Sequence, residues 1–150
     1  MQQKLNRFLV VAAVSSAALA AFHLTVIAIG APAYRYFGAG EEMARRAEQG
    51  SLVPAVITLS IAAVFAVFAA YALTGAGFHW RLPLVRVALA LIAGIFILRG
   101  ISAIPQAILL ARSPGAFPVR YLVFSLVSLF VGLCYAVGTI QSWKMLEKST

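Results

Sequence analysis

Polar positions along this chain fall in short clusters that separate four long apolar runs, at residues 8–30, 52–73, 84–110 and 119–140. Each run reaches the roughly 20 residues a helix needs to cross a hydrocarbon core of about 30 Å. No spanning segment can leave its backbone groups unpaired in lipid, so all four are expected to be helices. The predicted fold class is therefore all-α: an integral membrane four-helix transmembrane bundle with short connections, forming a single transmembrane domain over residues 1–150.

Chain-breaking residues sit between the runs. Gly30, Pro32, Gly38 and Gly40 follow the first, Gly75 and Gly77 close the second, and Pro83 opens the third. Ser113-Pro114-Gly115 and Pro118 separate the third from the fourth. Ser51 is placed to cap the second helix, with Pro54 in its first turn, where a missing N–H costs little. Lys4, Arg7 and Ala18-Leu19-Ala20 resemble a cleavable secretory signal. The apolar run continues past Ala20 to Ile29, so an uncleaved helix is expected. Tyr34, Tyr36, Phe37, Trp80, Tyr121 and Trp143 lie at run borders and read as aromatic belt residues.

Composition reinforces this reading. Hydrophobic residues make up 63% of the chain and charged residues 11%, against about 45–50% and about 25% in ordinary soluble domains. The net charge of +8 comes from basic residues placed singly or in pairs at the ends of apolar runs. That placement points to anionic headgroups and topology control, not nucleic acid. Membrane lipids are the expected partners, together with a larger membrane protein complex or a homodimer. Four spans put both termini on one side, with Lys4, Arg7, Arg81, Arg86, Lys144 and Lys148. The other side carries Arg35, Arg45, Arg46, Arg112 and Arg120, three of them in a loop with Glu41, Glu42 and Glu48. The Lys4/Arg7 pair beside the first helix decides a near-even count, so both termini are expected in the cytoplasm, in a bacterial inner membrane.

Small residues at four-residue spacing mark candidate helix contacts: Ser16 and Ala20; Ala62, Ala66 and Ala70; Ala90 and Gly94; Ser128, Gly132 and Ala136. The segment from Ala31 to Ser51 is the longest connection. Within it, Glu41 to Glu48 reads as two helical turns with Glu41–Arg45 and Glu42–Arg46 pairs, and Met43 and Ala47 turned to the apolar side. It is expected to be a solvated connector or, with Glu41, Glu42, Arg45 and Arg46, a lid.

Catalytic chemistry finds little support. Cys134 stands alone, His23 and His79 fall toward opposite sides of the membrane, and no Walker loop, HExxH or dinucleotide fingerprint is present. No metal site or cofactor is expected. The four apolar runs contain no carboxylate, which excludes the usual proton-coupled exchanger. One charge does lie inside a run. Arg99 is thirteen residues from both Arg86 and Arg112, about 20 Å from each along a helix. Pro105, six residues on, frees the carbonyl of Ile101 and predicts a kink between Gly100 and Pro105. Counted along their own helices, His23, Thr58, Ser60, Ser125 and Ser128 reach the depth of Arg99 and Ser102. These seven residues form the candidate ligand-binding layer, with Glu41 or Glu42 as a possible counter-ion dipping inward. Three roles fit: a structural or accessory subunit of a membrane complex; a protein that binds or transports a small anionic molecule or lipid around Arg99; and a membrane enzyme with an unrecognised site, which the absence of motifs disfavours.

Overall fold

The computed structural model describes residues 5–78 and 82–146, which exclude His79, Trp80 and Arg81. Every regular element among them is a helix: α1 (Arg7–Ile29), α2 (Ala31–Phe37), α3 (Glu41–Glu48), α4 (Val53–Ala76), α5 (Val85–Ile101), α6 (Ala103–Arg112) and α7 (Arg120–Leu146). Four stretches have the length and hydropathy of membrane spans: Arg7–Ile29, Val53–Ala76, Val85–Arg112 and Arg120–Trp143. The protein is an all-α membrane protein with four spans. α1 runs unbroken through Ala18 to Ala20. The third span is interrupted at Ser102, because Pro105 has no N–H to offer the carbonyl of Ile101. The helix resumes when the Gln106 N–H bonds the Ser102 carbonyl at 3.3 Å.

Two compact units divide the chain: residues 1–14 with 70–150, and residues 15–69. In the first unit, α5 and α7 run antiparallel in close contact. A Cβ built on Gly100 would lie 2.6 Å from the Leu129 backbone, and one on Gly132 would lie 2.9 Å from the Ile97 backbone nitrogen. Phe96 and Tyr135 stack at 5.8 Å between ring centroids. The buried stripe of α5 is Val85, Leu89, Ile92, Ala93, Phe96 and Gly100. This corrects the expected Ala90/Gly94 face: Ala90 is exposed, and a Cβ on Gly94 would meet open space. Small residues recur by chance in such helices, and the large Phe96 and Leu89 side chains fix the contact face instead.

In the second unit the connection from Ala31 to Ser51 holds two short helices, the expected one at α3 and an additional one at α2. Gly30, at φ +78°, turns the chain, and Pro32 sits in the first turn of α2, where its fixed φ helps the helix start. Tyr34 is not a belt residue. It is 2% exposed and forms a core with Val26, Ala31, Ala33 and Ala44, against which Phe22, Phe37, Met43 and Ala47 pack. α3 has the expected bounds and apolar face. Its charge pairs differ from the expected Glu41–Arg45 set. Arg35 of α2 reaches both Glu41 and Glu48 at 2.7 Å, while Glu42 takes Arg45 at 2.6 Å and Arg46 at 2.8 Å. A planar guanidinium on α2 offers Glu41 a two-pronged partner, which the one-turn Arg45 cannot match.

These pairs hold α3 against α2 and set a pH response. Hydrogen bonds from Arg35 hold the Glu41 and Glu48 carboxyls below their ordinary range, and those from Arg46 and Arg45 do so for Glu42. A depressed folded value makes the contribution fully present above the ordinary value of 4.5, and lost as pH falls from there through the folded values. Amide exchange in α3, corrected for intrinsic rates, should therefore accelerate below pH 4.5. Arg35→Gln should produce the same acceleration at neutral pH. Equal protection in the variant and the parent would show that the apolar core alone seats α3.

Candidate functional site

The site is built at the interruption of the third span. Because α5 stops at Ser102, the Ser102 hydroxyl is free to donate to the Arg99 carbonyl at 2.6 Å and to sit 3.0 Å from the Ser125 hydroxyl of α7. Arg99 Nη1 donates to Ser102 Oγ at 3.1 Å and to Ser125 Oγ at 2.8 Å. The Ser125 hydroxyl, fully buried, has two acceptors in reach for its one proton, Gln106 Oε1 at 2.9 Å and the Tyr121 carbonyl at 3.1 Å. One guanidinium nitrogen is thus satisfied by hydroxyls. An arginine has five N–H donors, and those on Nε and Nη2 have no partner among the described residues, nor does Gln106 Nε2. Arg99 itself is exposed.

The depth of this group follows from helix register. Arg86 lies 4.2 Å from the ring of Trp143, at the end of the helix pair nearer the termini. Ile97 meets Gly132 and Gly100 meets Leu129, so the Arg99 Cα is level with Phe130. Its side chain ends at Ser125, five residues further toward the α6–α7 end, a reach of about 7.5 Å. Ser125 is eighteen residues from Trp143, or about 27 Å, against a core of about 30 Å. The guanidinium is therefore displaced from the level of its own Cα by about 7.5 Å toward the α6–α7 end. α6 opens the way: among its residues only Ala103 is buried, and Ile104, Ile108 and Leu109 are exposed.

Of the seven residues expected in one layer, the structure joins Arg99, Ser102 and Ser125. Ser128 bonds the Phe124 carbonyl of its own helix. His23, Thr58 and Ser60 belong to the other unit. His23 Nδ1 is 2.7 Å from the Leu19 carbonyl, Thr58 donates to the Pro54 carbonyl at 2.8 Å, and Ser60 to the Val56 carbonyl at 2.9 Å. Each hydroxyl has the helical carbonyl four residues back as its nearest acceptor. Glu41 pairs with Arg35, and Glu42 with Arg45 and Arg46. Gln106 was missed by the sequence reading. Its signal was available: a lone amide in the apolar helix, seven residues or two turns after Arg99. No cluster of three metal-ligating side chains occurs among the described residues.

The open edge of the guanidinium carries N–H donors and a fixed positive charge, and no described carboxylate lies within ion-pair distance of it. The sequence matches no protein-family model, no curated protein and no solved structure.

Proposed function

We propose that this membrane protein binds an anionic amphiphile, a phosphate-bearing lipid headgroup in the first instance, at the notch formed by Arg99, Ser102, Gln106 and Ser125. The observation that carries this reading is the division of the guanidinium. Nη1 is anchored on two hydroxyls, which leaves the Nε–Nη2 edge, the two-pronged fork suited to phosphate or carboxylate. A guanidinium near the hydrocarbon boundary stands at the depth where lipid phosphates are within reach, and the exposed apolar face of α6 offers a place for acyl chains. The Lys4/Arg7 pair supports termini in the cytoplasm of a bacterial cell, with the notch facing the outer leaflet of the inner membrane. An accessory role in a larger complex rests on the apolar outer surface, which lipid accounts for equally well.

Native mass spectrometry with short-chain phosphatidate and phosphatidylcholine tests the reading. The parent should retain phosphatidate preferentially. Arg99→Met should lower that retention roughly tenfold or more while leaving the melting temperature near that of the parent. Arg99→Lys should restore little, because an ammonium keeps the charge and loses the fork. Unchanged retention in Arg99→Met, or full rescue by lysine, would defeat the assignment.

A further inference from the structure

At the opposite end of the first unit, the start of α1 and the end of α7 enclose an open groove lined by Leu5, Arg7, Phe8, Val11, Gln141 and Ser142. The walls are sorted by chemistry. Arg7 and Gln141 form the head, and neither has a hydrogen-bond or ion-pair partner among the described residues. Leu5, Phe8 and Val11 form an apolar floor and are all exposed. This sorting has a fixed depth. Asn6 bonds Ser142, and Leu9 packs on Gly138, so α1 and α7 are antiparallel with Arg7 level with Gln141. Gln141 is two residues from Trp143, whose ring carries Arg86. Trp favours headgroup depth. The head of the groove is therefore at the interface, with Leu5 on its outer side and Phe8 and Val11 running from it toward the hydrocarbon.

We infer that this groove seats an anionic glycerophospholipid of the leaflet on the side of the termini, with its phosphate on Arg7 and Gln141 and one acyl chain along Phe8 and Val11. Charge complementarity selects the occupant. The head offers a guanidinium and an amide with no carboxylate beside them among the described residues, and the apolar side chains of Phe8 and Val11 begin directly below. A soluble anion would use the head and leave the floor bare; a zwitterionic lipid would bring its own cation beside Arg7 and supply no net counter-charge to the head. The site stands on residues other than those of the Arg99 notch and does not depend on it.

The test uses the full-length protein in lipid nanodiscs with a phosphatidylglycerol whose acyl chain carries a photoactivatable group, and a phosphatidylcholine probe of the same chain. Phosphatidylglycerol should label residues 5–11 in the parent. Arg7→Gln should lower that labelling about fivefold, the equivalent of one basic side chain at an anionic surface. Val11→Trp, which fills the floor and keeps Arg7, should lower it as well. Labelling at the α6–α7 end should be unaffected by either variant, and Arg99→Met should affect only that end, so the two sites fail separately. Equal labelling by phosphatidylcholine, unchanged labelling in Arg7→Gln, or no labelling of residues 5–11 would each overturn the assignment.

Discussion

Gly100→Ala should destabilise the protein by roughly 2–3 kcal/mol, the scale of overpacking in a well-packed interior. The added methyl would sit 2.6 Å from the Cα, Cβ and backbone nitrogen of Leu129. Backbone atoms cannot step aside as a side chain can, so α7 itself must move away from α5. That movement would also loosen the Phe96–Tyr135 stack and the nearby Gly132–Ile97 approach. Close packing is the main source of helix association in lipid, where no hydrophobic effect favours one apolar surface over another. Gly94→Ala is the internal control. It adds the same methyl to the same helix, into open space, and alanine is the better helix former by about 1 kcal/mol. It should be neutral or stabilising. Thermal unfolding in detergent reads both variants. Equal melting temperatures for Gly100→Ala and Gly94→Ala would refute the claim that α5 and α7 meet at Gly100.

The same pair of glycines shows what the sequence could and could not disclose. Four spans were legible because twenty consecutive apolar residues have one physical outcome in a membrane, and the break near Ser102 was legible because a proline in mid-span removes a particular bond. Which face of a span meets its neighbour was not. Gly94 and Gly100 are both small residues on α5, and only the three-dimensional register tells the seam from the open side. Tyr34 failed for a related reason. Interface depth and burial under a short second helix give the same local pattern, and α2 was hidden behind Gly30 and Pro32, which normally announce an end. Within the candidate site, the charge of Arg99 could be read directly. The position of its guanidinium along the helix pair could not, because the long side chain carries it about five residues along the neighbouring helix. The partner residues Ser102 and Ser125 came from counting along helices, while Gln106 required knowing that α6 continues past the break on the side of Ser125.

Asn6→Leu should cost roughly 2–4 kcal/mol, because one side chain carries a helix cap and an inter-helix tie together. Its Oδ1 accepts from the backbone N–H of Phe8 at 3.1 Å and of Leu9 at 3.2 Å, capping the first turn of α1. Its Nδ2 donates to the Gly138 carbonyl at 2.9 Å and to Ser142 Oγ at 2.8 Å on α7. Its backbone N–H meets the Ala76 carbonyl at the end of α4, at 3.1 Å. Leucine would retain only the last of these. The loss exceeds a cap because Ser142 is fully buried, and a buried acceptor left without its donor bears the full desolvation cost. Asn6→Asp separates the two roles. A carboxylate keeps the capping oxygen, which the positive end of the α1 dipole favours, and it removes both donors to α7. Amide exchange should then show protection at Phe8 and Leu9 preserved in Asn6→Asp and lost in Asn6→Leu, while the last two turns of α7 open in both. If α7 keeps its protection in Asn6→Leu, the tie is dispensable and the close approach of Gly138 to Leu9 alone holds that end of the unit.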